Sequence, residues 1–153
     1  QLLEKRQSEG RAEQPAAVVV SRSPDFSSAW QFFDQPLQRW LLAPEPVDQG
    51  FDRWFPLAPT WPERLQALGA AGIQRLVLLG GAQLSADLLQ ADCVDALQLT
   101  LVPQLLGGRF SWLPCTDAPL PAALAQPGAW QSDGAEDLGD GEWLVRYRRI
   151  RSG

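Results

Sequence analysis

The sequence contains no histidine and no methionine, and its only cysteines are Cys93 and Cys115. Without histidine there can be no His-based general acid–base step, no Ser/His triad and few of the usual zinc sites, so no metal is expected. The two cysteines are too far apart for a C-x-x-C pair, and each is expected as a buried or half-buried thiol in a reducing cytoplasm. No apolar run approaches membrane-spanning length, and the polar first residues do not form a signal peptide, so the expectation is cytoplasmic, with no membrane partner. Basic residues are also scarce: 13 Lys and Arg stand against 18 Asp and Glu, a net charge of −5. That balance excludes the basic surface on which sequence-independent nucleic-acid binding depends. A chain without methionine is not a translation product that kept its initiator. Initiator removal and loss of a longer N-terminal part both account for this.

What is present is enough apolar residue for one domain with a core, 45% of 153 residues. The chain is organised around Ile73 to Gly108, which reads as strand, paired glycines, short helix, acidic turn, strand, proline and paired glycines. Leu76 to Leu79 is a four-residue aliphatic run, predicted as a strand buried on both faces. Gly80 and Gly81 break it where the chain must turn sharply. From Gln83 the spacing of Leu84, Leu88 and Leu89 predicts a short amphipathic helix to about Gln90, and Asp92 to Asp95 a turn. Leu97, Leu99 and Leu101 alternate with Gln98, Thr100 and Val102, predicting a second strand that Pro103 ends. The gap between the two strands suits a parallel crossover, a β-α-β unit. In such units a glycine turn feeding a helix N-terminus suits phosphate, since that end offers unpaired N–H groups and partial positive charge. Gly80 and Gly81 therefore read either as a tight turn alone or as a phosphate cradle.

The flanks supply the rest. Gln1 to Gln14 look like the tail of a helix or a linker. Ala16 to Val20 is a short β-branched strand, ending in Ser21-Arg22-Ser23-Pro24, a polar turn that reads first as solvated and otherwise as an anion site made by Arg22 and the serines. The aromatic residues Phe26, Trp30, Phe32 and Phe33 are expected as packing. Arg39 to Leu42 reads as a strand, and the proline-rich Glu45 to Pro59 as an irregular loop. Thr60 with Glu63 forms a capping box, Pro62 sits in the first turn, Leu65 and Leu68 are the buried stripe, and Gly69 or Gly72 stops the helix. Arg109 to Leu113 is another candidate strand, and Pro114 to Pro127 a surface loop with one weak helical turn. Gln131 to Gly141, with Asp133, Glu136, Asp137 and Asp140, reads as a solvated acidic loop without the EF-hand order of calcium ligands. Glu142 to Ile150 alternates as a half-exposed antiparallel strand, and Arg148, Arg149 and Arg151 at its exit read as solubilising charge. The sum is a mixed sheet of about five to six short strands with two clear helices, a three-layer α/β sandwich in a single domain.

With those elements placed, LGGAQLSADLLQADCVDALQLTLVPQLLGG resembles the C-terminal reductase domain of the bifunctional riboflavin-biosynthesis deaminase/reductase and its stand-alone pyrimidine-reductase relatives. That family shows GG-x-x-L at a strand end, a helix of the form LL-x-x-x-L-V-D-E-L, then a strand and P-x-L-L-G-G. The matching residues are Gly80, Gly81, Leu84, Leu88, Leu89, Val94, Asp95, Leu97, Pro103, Leu105, Leu106, Gly107 and Gly108. AVVVSRS and LVRYRR resemble the family's central and final strands, so the likeness runs from about Gln14 to Arg149.

The resemblance implies a dihydrofolate-reductase-like fold and an NADPH-dependent enzyme. Its reaction reduces the ribosyl group of 5-amino-6-(5-phosphoribosylamino)uracil to the ribityl form by hydride transfer, so the partner is a small pyrimidine nucleotide. It implies that Gly80, Gly81, Ala82, Gln83 and Leu84 bind the cofactor's pyrophosphate, and that Ser21 and Arg22 approach the adenosine phosphate portion. Leu79 falls at a substrate-contacting position where riboflavin-pathway members commonly carry a glutamate, and Ala96 replaces the glutamate of V-D-E-L. The family's first strand, its S-L-D-G-like substrate segment and its G-x-G-T cofactor turn have no counterpart here, so the chain is expected to be an N-terminally truncated reductase domain, possessing little activity alone, with its catalytic residues outside it. A homodimer is a further expectation. The alternatives are a nucleotide-binding relative without catalysis, or a reductase of a different substrate.

Overall fold

The computed structural model describes residues 2–23, 25–47, 50–79, 81–105, 107, 113 and 120–151. They fall into two compact units, residues 1–74 and 75–153. The first begins with an exposed helix α1 (Leu2–Ser8), which buries none of its residues. Strands β1 (Ala17–Val20), β2 (Arg39–Ala43) and β3 (Arg53–Pro56) then form an all-parallel sheet in the order β1-β2-β3. Val18 lies beside Trp40, and Trp40 beside Arg53. The central strand is the most apolar, and Leu41 and Leu42 are 0% exposed, as a parallel strand covered on both faces requires.

Strand β3 lies inside the stretch expected as an irregular loop. Its four residues include Pro56 and carry no period, but β2 offers a free edge that β3 fills. Pro56 is tolerated there because β3 is itself an edge strand, where a missing N–H breaks no ladder. The aromatic residues before β2 pack as expected: Phe26 and Phe33 stand edge-on to Phe51, with ring centroids 5.1 and 5.7 Å away. Arg39 holds a 3₁₀ turn at Gln31–Asp34 by donating to the carbonyl oxygens of Phe32 (3.2 Å) and Phe33 (2.6 Å).

Helix α2 (Trp61–Ala70) closes this unit and forms for the expected reasons. Thr60 Oγ1 accepts from the N–H of Glu63, the Glu63 carboxylate accepts from the N–H of Thr60 at 3.0 Å, and Pro62 sits in the first turn. The Thr60 hydroxyl and then its N–H hold the Glu63 carboxyl below the usual carboxylate range. At the far end Ile73 N–H donates to Leu68 O (3.1 Å) and Gly72 N–H to Gly69 O (2.9 Å) around Gly72 at φ +107°. This is a Schellman cap.

In the second unit, residues Arg75 to Leu79 have no regular structure, and Leu79 is 93% exposed. This overturns the expected buried strand at 76–79 and the β-α-β unit built on it. An aliphatic run becomes a strand only where another edge accepts its N–H and C=O groups, and among the described residues none does. Helix α3 (Ala82–Gln90) forms as expected, followed by β4 (Ala96–Leu101). β4 is antiparallel to β6 (Glu142–Arg149), not parallel to a preceding strand. The other neighbour of β6 is β5 (Trp130–Gly139), so the order is β4-β6-β5. Strand β5 replaces the acidic loop expected over 131–141. Its inward apolar period is missing because nearly all of it is exposed; β6 supplies a ladder, with irregularities between Ser132 and Ala135 and between Asp137 and Gly139. A short helix α4 (Ala122–Ala125) gives the one helical turn expected there. The candidate strand at 109–113 and Cys115 lie outside the described residues, apart from Leu113.

Candidate functional site

The residues expected to hold a nucleotide divide between the two units, and each group has its own geometry. In the first, Ser21 and Arg22 follow β1 at the carboxyl end of the parallel sheet. Ser21 N–H donates to Leu42 O at 3.0 Å, which ties this turn to the end of β2. The Ser21 hydroxyl donates to Ser23 O and accepts from Ser23 N–H, a small serine-closed turn. The carboxyl ends of parallel strands are where open α/β sheets take their ligands. A cavity bordered by Glu13, Gln38, Arg39 and Asp52 lies instead at the amino ends of β1 and β2, away from Ser21 and Arg22.

In the second unit, Gly81 is the N-cap of α3 at φ +90°, ψ +96°, and no side chain caps the helix. Ser85 N–H donates to Gly81 O at 2.9 Å, so the first intrahelical bond starts at Gly81. The N–H groups of Ala82, Gln83 and Leu84 precede any intrahelical acceptor and point out of the helix end. A Cβ at Gly81 would meet only Leu84 Cβ, at 3.7 Å, an ordinary contact. The need for glycine there comes from φ, not from crowding. Gly80 lies outside the described residues. The backbone at Gly81 and the open first turn fit a phosphate group, which would accept from those N–H groups. Leu79, at the expected substrate position, presents an exposed apolar side chain with no carboxylate, and Ala96 opens β4 opposite Arg148.

The other end of α3 carries a feature that the sequence reading missed. Cys93 N–H donates to Leu88 O (2.9 Å) and Asp92 N–H to Leu89 O (3.0 Å), a Schellman cap like that of α2. Its left-handed residue is Asp92, at φ +49°, where α2 has Gly72. An aspartate in that conformation carries strain on the order of 1 kcal/mol that glycine avoids. The Asp92 carboxylate takes the fork of Arg149, Nε to Oδ1 at 2.9 Å and Nη2 to Oδ2 at 3.1 Å. Arg149 is a half-buried residue whose side chain is 5% exposed, and it also donates to Ala129 O at 2.9 Å. Arg151 adds bonds to the Asp95 carboxylate (2.6 Å) and to Asp92 O (2.7 Å). The Arg149 fork holds the Asp92 carboxyl below the usual carboxylate range, and burial pushes the Cys93 thiol up. Two of the three arginines expected as solubilising charge are therefore structural. The signal was parity: Arg149 falls in phase with Val145 and Tyr147, two residues apart along one face of β6.

Among the described residues, no cluster of acidic or cysteine side chains could hold a metal ion, and no helix is long and apolar enough to cross a membrane.

Comparison with known proteins places residues 1–140 on the model of the RibD C-terminal domain. The riboflavin biosynthesis protein RibD of Haemophilus influenzae is 30% identical over 133 residues, which are 83% of this chain and 35% of that protein. A pyrimidine reductase-like protein from Corynebacterium diphtheriae superposes with a TM-score of 0.76 at 20% identity, over 97% of this chain and 66% of its own. The deaminase/5-amino-6-(5-phosphoribosylamino)uracil reductase of Thermotoga maritima superposes with a TM-score of 0.68 at 16% identity, over 89% of this chain and 38% of its own. The chain thus spans about a third of the length of the Haemophilus influenzae and Thermotoga maritima proteins.

Proposed function

The chain belongs to the RibD C-terminal domain family, and from that premise we propose that it forms the nucleotide-binding part of an NADPH-dependent pyrimidine reductase. Its fold is the mixed α/β, dihydrofolate-reductase-like one of the riboflavin-pathway reductase domains. The single observation that carries the proposal is the uncapped start of α3 at Gly81, in a left-handed backbone that glycine alone adopts without strain. In this reading Gly80, Gly81, Ala82, Gln83 and Leu84 hold the pyrophosphate, chiefly through backbone N–H groups. Ser21 and Arg22 hold the adenosine phosphate portion, with the Arg22 guanidinium as the charged donor. Bound NADPH would supply the hydride; the residues of this chain orient it and neutralise its phosphates. The substrate in this reading is 5-amino-6-(5-phosphoribosylamino)uracil, reduced in a single cytoplasmic domain, with a homodimer as its assembly.

The first test is thermal. A ligand that binds only the folded chain at about 100 times its Kd stabilises it by about 2.7 kcal/mol. NADPH is expected to raise the Tm of the chain, and Gly81→Val to remove most of that rise. An unchanged Tm at saturating NADPH defeats the proposal. The second test is turnover: oxidation of NADPH by the phosphoribosylamino-pyrimidine in the presence of the protein.

Leu79 and Ala96 favour a second reading. Neither position provides the carboxylate that riboflavin-pathway members place there, which suits a nucleotide-binding relative without this catalysis, or a reductase of a different substrate. NADPH binding without turnover of the pyrimidine would select between this reading and the first.

A further inference from the structure

We propose that Asp92 and Arg149 are a positioning pair for the phosphate-binding end of α3, fixing that end from the far side of the helix; the inference rests on the nucleotide reading above. Three observations carry it. Helix α3 is fully buried only in its last turn, at Leu88 and Leu89, while its first turn, with Ala82 and Leu84 half-buried, has no side-chain cap. Nine residues of helix form a rod about 14 Å long, so its tip follows whatever holds its base. Its base is held by Asp92, which occupies a left-handed position where α2, with the same cap, has Gly72. The aspartate is the less comfortable residue there, and its carboxylate takes the Arg149 fork, with Arg151 Nε 3.7 Å from Oδ2. Arg149 in turn joins β6 to Ala129 O, and its N–H donates to Asp95 O at 2.8 Å, so the helix base is registered to the sheet and to the turn before β5.

Asp92→Gly separates this role from plain stability. Glycine relieves the left-handed strain and keeps the Schellman cap, but removes the fork. The ligands are NADPH, which carries a pyrophosphate, and adenosine 2′-monophosphate, which does not. Both are titrated by fluorescence and calorimetry well below the Tm of each variant, so that only folded protein is measured. Asp92→Gly and Arg149→Met are expected to weaken NADPH binding by about tenfold, since a small misplacement of a binding group far from the mutated site is enough for that. Adenosine 2′-monophosphate, held through Ser21 and Arg22, is expected to bind as it does to the parent chain. Arg149→Lys keeps the charge and loses the fork, and is expected to fall between. Equal NADPH affinity in all four proteins overturns the inference and leaves the nucleotide reading standing, as does a parallel loss of both ligands, which would mark a purely structural clamp. A parent chain that binds neither ligand overturns the nucleotide reading and this inference together.

Discussion

Helices α2 and α3 belong to different units and end alike, each in a Schellman cap, yet they begin differently. The start of α2 is closed by a reciprocal capping box between Thr60 and Glu63, while the start of α3 at Gly81 is left open. Their surroundings differ in the same direction. The first unit wraps a parallel strand, β2, so fully that Leu41 and Leu42 are out of contact with water. The second spreads an antiparallel hairpin whose outer strand is exposed along almost its whole length. The first unit is held by apolar burial and a finished helix; the second relies more on cross-strand ladders and the Arg149 fork. A helix end that a fold leaves unsatisfied is a place where a ligand can supply what a side chain does not.

The largest expected effect would sharpen the contrast in burial. Leu42→Ala removes atoms from a closed site and is expected to destabilise by about 2–5 kcal/mol, whereas Leu79→Ala on the exposed run is expected to stay within about 0.5 kcal/mol. Chemical denaturation of both variants measures this, and equal losses would break the distinction between the units. Thr60→Ala tests the closed helix start, with an expected loss of about 1 kcal/mol. The acid limb of stability tests the other unit. The folded-state pKa of Asp92 is lowered, first by the Arg149 hydrogen bond. Its stabilisation is therefore complete above the ordinary carboxylate range and is lost as pH falls through the lowered folded value. Denaturation curves between neutral and strongly acid pH are expected to show a shallower acid loss in Asp92→Asn than in the parent chain. The smallest effect is expected at Glu136→Gln, which breaks an exposed pair with Arg146 at 2.8 Å and is expected to cost at most about 1 kcal/mol at neutral pH.

Much of the fold was legible because its causes are local. The β-branched run of β1, the apolar β2, the capping box of α2, the leucine spacing of α3 and the alternation of β6 all correspond to observed elements. The errors share one cause. Strands β3 and β5 have poor local patterns and exist because a neighbour offers a ladder, while Leu76 to Leu79 has an excellent local pattern and no described neighbour to pair with. The candidate site was half legible in the same way. The glycines and the helix they precede could be read from spacing, but the Asp92–Arg149 fork joins residues 57 apart in sequence.

The sequence by itself determined the family, through three linked motifs around Gly80-Gly81, and with it the fold class and the place to look for a nucleotide. It also showed that these 153 residues supply no histidine to any catalytic step. Only the tertiary structure decided which segments became strands, since backbone pairing is settled between chains of residues and not within one. It also turned two terminal arginines from surface charge into a clamp, because a guanidinium's role depends on the carboxylates and carbonyl groups that folding brings within 3 Å of it.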